Sequence, residues 1–361
     1  MDDVAAEGGV VVEVLGPRQR FLGRALYSEQ SQITLRMLTR DDEDVDEGFW
    51  RRRIQAAIDY RTSLDIKATA YRLVHAEADL LPSLIVDRYG DVLVVQALSQ
   101  AMDRQLPALV PMLVEQAGAT GVLARNDPRV RLLEGLEQRV EVLFGNVPDL
   151  ITVHESDVEY EVDPRHGQKT GLFLDQRENR EAAALYARGR MLDCFSYHGG
   201  FALRLAGHCD TAEAIDISAD AVSRIGANAV RNQLTNLQAR EANVFDELRR
   251  LEQAGERYDT VVLDPPAFAK NKASVPKALA GYKDINLRAL RLLNPGGYLL
   301  TCSCSYNVDE ATFAETIYEA SIDSRVSVTV VEKRMQGRDH PVLLGVPETY
   351  YLKCFIVRRV A

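Results

Sequence analysis

No apolar run in this chain approaches the roughly 20 residues that cross a bilayer. Its first residues, Met1-Asp2-Asp3-Val4-Ala5, are acidic and lack the basic and apolar regions of a signal peptide. The expectation is a cytoplasmic protein without a membrane partner. Cysteine is scarce and odd in number: Cys194, Cys209, Cys302, Cys304 and Cys354 sit mostly in apolar runs, which favours reduced thiols over a disulfide framework. Cys302 and Cys304 share a face if they lie on a strand, but one intervening residue is too few for the usual zinc pairing, so no metal site is expected. An excess of positive charge is also missing. Lys and Arg number 43 against 53 Asp and Glu, a net charge of −10, which argues against a nonspecific nucleic-acid coat. The chain contains no GxGxxG, which disfavours a dinucleotide cofactor, and no internal repeat or low-complexity tract.

What is present is strongly patterned. Short alternating runs, Val10–Leu15, Phe21–Tyr27 and Ile33–Leu38, with turn residues between them, read as a small β module over 1–45. An arginine-rich helix follows over 46–65. Two strand pairs over 70–98, a helix over 103–117 and further strands to 160 make a second α+β unit, 66–165. From Met191 onward strands and helices alternate strictly, which implies a doubly wound parallel sheet. Its last two strands, joined by a long loop, suggest an antiparallel hairpin at one edge.

Chemistry concentrates at the carboxyl ends of those strands, where open α/β sheets bind ligands. The first strand runs into Phe195-Ser196-Tyr197-His198-Gly199-Gly200, a tight turn that lets backbone approach a ligand at a helix start. The second ends in Asp216, placed to accept hydrogen bonds from ribose hydroxyls. Asn243 follows the third and can read an adenine edge. Together they describe a site for a nucleoside without a phosphate tail, which S-adenosylmethionine (SAM) fits better than NAD. For Gly199-Gly200 and Asp216 taken singly, a packing turn and a helix N-cap are the bland alternatives. The fourth strand ends Asp264-Pro265-Pro266-Ala267. Proline has no N–H to donate, so pairing stops there and a carboxylate is left at the strand end. The fifth ends Cys302-Ser303-Cys304-Ser305. An acid and a thiol on neighbouring strand ends suggest covalent chemistry on a base ring. Two basic groups are candidates for RNA contact, Arg51, Arg52, Arg53, Arg61, Lys67 and Arg72, and Lys270, Lys272, Lys277 and Lys283. The alternative for each is an ordinary solvated face.

The segments Gly167–Arg177 (GQKTGLFLDQR), Cys194–Phe201 (CFSYHGGF), Asp264–Phe268 (DPPAF), Gly281–Asn286 (GYKDIN) and Ser303-Cys304-Ser305 resemble, in order, the ribosomal RNA large subunit methyltransferase I family. That resemblance covers roughly 10–357. It implies a Rossmann-like class I SAM methyltransferase domain over 166–361, a central α+β domain and an amino-terminal PUA domain. The expected activity is formation of 5-methylcytosine in 23S ribosomal RNA, and the family often forms homodimers. It implies Cys304 as nucleophile on cytosine C6 and Asp264 on the N3 edge of the base. Pro265, Pro266 and Phe268 would shape the base pocket, and Lys270 and Lys272 would meet phosphates. Gln176 and Arg177 would help seat cofactor or substrate, and Asp264 would also border the cofactor beside Phe195, Ser196, Tyr197, Gly199, Gly200, Asp216 and Asn243. The chain departs from the family at its start, where strands carrying His-Pro-Trp are lacking, the module being either truncated or reduced. It also departs at Asn243, where an acid is common, and at Tyr306, where glycine is common. The rival readings are a methyltransferase of another base such as guanine N7, a noncatalytic SAM-binding assembly factor, and an NAD-dependent oxidoreductase.

Overall fold

The computed structural model describes residues 6–360, which cluster into two compact units. The first comprises residues up to Ser156 with Glu161–Leu174 and Arg338–Thr349. It opens with an antiparallel three-stranded sheet of β1 (Val11–Gly16), β2 (Arg20–Tyr27) and β3 (Leu35–Thr39). Asp46 caps helix α1 (Glu47–Ser63), its carboxylate accepting from Phe49 N at 2.8 Å. Then come β4 (Ala70–His75), β5 (Leu84–Tyr89), β6 (Val92–Ala97), α2 (Gln100–Ala117), β7 (Gly121–Asn126) and β8 (Arg139–Gly145), whose strands form one mixed sheet in that order. Three strands form the two antiparallel pairs over 70–98, β4 with β5 and β5 with β6, turning at Ala76–Asp79 and between Tyr89 and Val92. Strands β9 (Ile151–Glu155) and β10 (Val158–Val162) complete the segment.

The second unit holds Asp157–Tyr160, Asp175–Gly337 and the chain from Tyr350. Helix α3 (Arg177–Ala184) leads into β11 (Arg190–Cys194), α4 (Gly200–Ala206), β12 (Thr211–Asp216), α5 (Ala219–Arg231), β13 (Leu237–Glu241), α6 (Val244–Gln253) and β14 (Tyr258–Leu263). It continues through α7 (Val275–Leu292), β15 (Leu293–Ser303), α8 (Glu310–Ser324), β16 (Val328–Arg334) and β17 (Lys353–Arg359). The sheet order is β13-β12-β11-β14-β15-β17-β16, parallel through β15 and antiparallel beyond. The last two strands form the expected antiparallel hairpin at one edge, with β16 outermost and β17 between it and β15.

Strand order reverses between β11 and β14, the switch point at which such sheets open a ligand crevice. Side-chain alternation divides the core into two faces. Leu192, Val261, Leu263, Leu299, Phe355 and Val357 pack with α6, α7 and α8 on one side. Met191, Val262, Leu300, Cys302, Cys354 and Ile356 pack with α3 and α4 on the other. Asp193 and Asp264 continue the parity of Met191 and Val262, and Cys304 continues that of Cys302. The sheet's period of two therefore directs two acids and a thiol to the same side. Among the described residues no helix is long and apolar enough to cross a membrane.

Candidate active site

The cofactor end is built by short-range bonds. After Cys194 the chain turns through left-handed backbone at Phe195 (φ 62°), Tyr197 (φ 51°) and Gly199 (φ 83°). Left-handed backbone costs a non-glycine residue about 1–2 kcal/mol, so the first two must be held. Ser196 N donates to Ile215 O at 3.0 Å, Ser196 Oγ to Asp193 O at 3.0 Å, and Tyr197 N to Asp216 Oδ2 at 2.8 Å. At Gly199 a Cβ would also crowd Leu203 and Ile225 at 3.2–3.3 Å. Gly200 starts α4, with the Arg180 guanidinium packed against it.

Asp216 is not a helix N-cap. Ser218 caps α5, and Asp216 accepts from Ser218 N at 2.9 Å as well as from Tyr197 N. Two backbone bonds fix the carboxylate and leave lone pairs for a diol. Asn243 is an N-cap: Oδ1 accepts from Phe245 N at 3.0 Å and Asp246 N at 3.4 Å, so its oxygen is committed to α6. Ile217, 69% exposed directly after Asp216, offers a bare apolar side chain beside that acid. Phe195, Phe245 and Phe268 form a ring cluster with centroids 5.9–6.3 Å apart.

Asp193 is the residue that motif reading passes over. It is 1% exposed, Oδ2 accepts from Ala202 N at 3.0 Å, and Oδ1 has no hydrogen-bond partner among the described residues. Burial, with Asp264 and Asp216 nearby, pushes its carboxyl up to about 7. A buried acid with an orphaned oxygen is what a ligand ammonium would satisfy, and the methionine moiety of SAM carries one. The available signal was its place, last but one on the first strand, 23 residues before Asp216.

The second half of the site is assembled over long sequence distances. Asp264 N lies 3.4 Å from Cys194 O, which ties the ends of β14 and β11 together. Gln176 Nε2 donates to Asp264 Oδ1 at 2.8 Å, and Asn179 Nδ2 donates to Gln176 Oε1 at 2.6 Å. Arg177 opens α3, buried, with Glu178 at 3.6 Å. Pro265 is buried and Pro266 exposed. The Cys304 thiol points at Pro265 O, Sγ to O 3.7 Å. Ser305 Oγ accepts from Ala269 N at 3.0 Å and bonds Tyr282 Oη at 2.9 Å. Phe268 packs on Tyr282 at 4.6 Å, so this ring is already held by protein on one side. Cys302 is buried beside Cys354, directly across β17, and burial raises its thiol.

Of the two basic groups, one dissolves. Arg61 is buried on Asp79 and the Asp339 carbonyl, and Arg72 grips Asp87 through two bonds of 2.8 and 2.9 Å. Arg51 pairs with Glu47 and Glu115, Arg52 with Glu43 and Lys67 with Asp65, while Arg53 stacks over Phe49. In the second group, Lys283 is spent on Glu319 and Asp323 at 3.1 and 2.9 Å. Lys270, Lys272 and Lys277 are exposed, after the Asp-Pro-Pro segment.

Comparison with known proteins places this geometry. The S-adenosylmethionine-dependent methyltransferase family matches residues 72–350, and a PUA-like domain matches residues 1–40. Ribosomal RNA large subunit methyltransferase I of Tolumonas auensis is 40% identical over 363 residues, covering 98% of this chain and 91% of the relative. The Photobacterium profundum protein of that name is 40% identical over 355 residues, with 96% and 89% covered. The chain belongs to the ribosomal RNA large subunit methyltransferase I family. Among solved structures, SMU.776 complexed with SAH superposes with a TM-score of 0.85 at 22% identity, covering 98% of this chain and 92% of that one, a likeness of fold.

The cofactor of this family member is SAM. The residues present fit it: an orphaned buried acid for the ammonium, a fixed carboxylate at Asp216 for the ribose, and apolar Ile217 and Phe245 near a capping amide for the adenine.

Proposed function

We propose that this protein methylates C5 of a cytosine in the large-subunit ribosomal RNA through a covalent adduct on Cys304. The observation that carries the reading is the pairing of Cys304 with the Asp264 loop. Sγ lies 3.7 Å from Pro265 O, on the side of the sheet to which Asp264 also belongs. A base held by Asp264 through N3 would present C6 to the thiol.

C5 of cytosine is a weak nucleophile. Addition of the Cys304 thiolate to C6, with N3 protonated against Asp264, converts C4–C5 into an enamine whose C5 can attack an electrophile. SAM supplies the electrophilic methyl group. Loss of the C5 proton to a base then lets the C6–S bond break, which restores the aromatic ring and the thiolate. Gln176 holds Asp264 in place during both steps. Lys270 and Lys272 meet the RNA backbone, where exposed ammonium groups position without reading sequence. The relatives' name gives the substrate, and the acid–thiol arrangement supports the cytosine chemistry.

The test is incubation of wild type and Cys304→Ala with labelled SAM and unmodified 23S ribosomal RNA, followed by identification of the product nucleoside. The expected result is 5-methylcytosine from wild type and none from the variant. Equal activity of both, or a methylated guanine, overturns the proposal.

A further inference from the structure

Helix α7 presents Gly281 and Tyr282 to the loops that carry the thiol and the Asp-Pro-Pro segment. At Gly281 a Cβ would come within 3.3 Å of the Phe268 ring, so a larger residue would press on that ring. Tyr282 is fully buried, packed on Phe268 at 4.6 Å and on Phe313 at 5.3 Å. A phenylalanine would fill that space equally well. A buried hydroxyl loses its hydration, and it persists only where a partner returns the loss. Here the partner is Ser305 Oγ at 2.9 Å. The helix segment is itself fixed: Asn286 Nδ2 donates to Tyr282 O at 2.8 Å, and Arg288 pairs with Asp284 at 2.9 Å.

Ser305 is also fully buried, and it joins three elements. Its Oγ accepts from Ala269 N at 3.0 Å, in the chain that follows Asp264. Its carbonyl accepts from Lys353 Nζ at 2.7 Å. Lys353 is buried at the start of β17, in register with Ser303 and in phase with the core residue Phe355. Its Nζ also donates to Tyr351 O at 2.9 Å. Cys304 faces the other way: it packs with Cys302 on the α3 and α4 side of the sheet, whereas Ser305 meets α7. Bonds to the side chain and carbonyl of Ser305 therefore set the direction in which Cys304 leaves the chain, without touching its sulfur. The two loops meet on both sides, Ser305 with Ala269 on one and Cys304 Sγ with Pro265 O at 3.7 Å on the other. We propose that Tyr282 and Lys353 are positioning residues for methyl transfer: by gripping Ser305 from behind, they lock the Cys304 loop to the loop that follows Asp264, so that thiol and acid meet one base. The inference rests on the reading of these two loops as the side that holds the base.

The test is Tyr282→Phe in the full chain, which keeps the ring and removes one oxygen. Steady-state methylation of unmodified 23S ribosomal RNA with labelled SAM gives kcat and KM, and calorimetry gives SAM affinity. A reacting group displaced by about 1 Å can cost about 10²-fold, and a latch that loses one of its bonds should cost less. The expected result is a kcat lower by about tenfold, with KM for RNA and SAM affinity unchanged, the pattern of an interaction that counts only in the transition state. A hydroxyl needed only for packing would lower the melting temperature and leave kcat at the wild-type value. That result, or an effect confined to KM, overturns the proposal. Should this variant not fold, Lys353→Met opens the latch at the Ser305 carbonyl instead and is held to the same outcomes. If Tyr282→Phe keeps the wild-type kcat while Cys304→Ala makes no 5-methylcytosine, the latch falls and the nucleophile stands. If Tyr282→Phe lowers kcat while Cys304→Ala still makes that product, the latch stands and the nucleophile falls.

Discussion

The cofactor end and the thiol end lie on one sheet but are built in opposite ways. At the cofactor end several polar anchors are held by backbone: Asp216 takes N–H groups of Tyr197 and Ser218, Asn243 caps its own helix, and Ser196 bonds back to Asp193 O. At the thiol end the anchors are remote. Gln176 meets Asp264 across 88 positions, Ser305 meets Ala269 across 36, and Lys353 meets Ser305 across 48. A site made of turns tolerates change in the rest of the core, whereas a site made of crossing contacts depends on the whole sheet being in register.

Perturbations should therefore separate the two ends. The largest effect is expected from Cys304→Ala, which should lower turnover by about 10⁴-fold or more, the scale of losing a covalent nucleophile, while SAM affinity by calorimetry stays at the wild-type value. Loss of SAM binding in this variant would show that the ends are one cooperative unit. Asp264→Asn comes next. Removing charge from the group proposed to face the base should cut turnover by about 10²–10³-fold in single-turnover assays, and a wild-type rate would remove Asp264 from the chemistry.

Asp193→Asn acts on the cofactor end alone and should weaken SAM at least about tenfold through loss of a buried charged partner. It also has a pH signature. The folded carboxyl titrates near 7 against an ordinary 3.8, so the folded protein holds a proton that the unfolded chain has released between those values. The stability this gives is complete below 3.8 and is lost as pH rises through about 7. Thermal melts of ligand-free Asp193→Asn should lack that decline and lie above wild type at pH 8. The smallest effect is expected from Ser305→Ala, which removes the acceptor of Ala269 N and should cost about 1–2 kcal/mol in denaturant unfolding, with SAM affinity unchanged.

The same contrast explains what the sequence revealed. The strand–helix alternation and the tight turn at Gly199-Gly200 were legible because the first follows from periodicity and the second from a glycine pair with left-handed backbone at Gly199. The basic cluster of Arg61 and Arg72 read as a surface because nothing local marks Asp79 and Asp87 as partners 15–18 positions away, close only after β4 and β5 pair. Insertion of β17 between β15 and β16 was hidden for a related reason: antiparallel pairing between neighbours in sequence does not say which of the two meets the rest of the sheet. Lys353 carried a faint signal, a charge in phase with Phe355 and Val357, but its meaning depends on Ser305 arriving from another strand.

The central claim is that Cys304 bonds to C6 of cytosine. Its most direct measurement is the intact mass and peptide map of the protein after incubation with SAM and 23S ribosomal RNA containing 5-fluorocytidine, in which fluorine blocks the loss of the C5 proton. The account predicts a stable protein–RNA adduct that maps to Cys304. Its contradiction would be methylation of the normal RNA with no adduct on the fluorinated one, or an adduct on another residue.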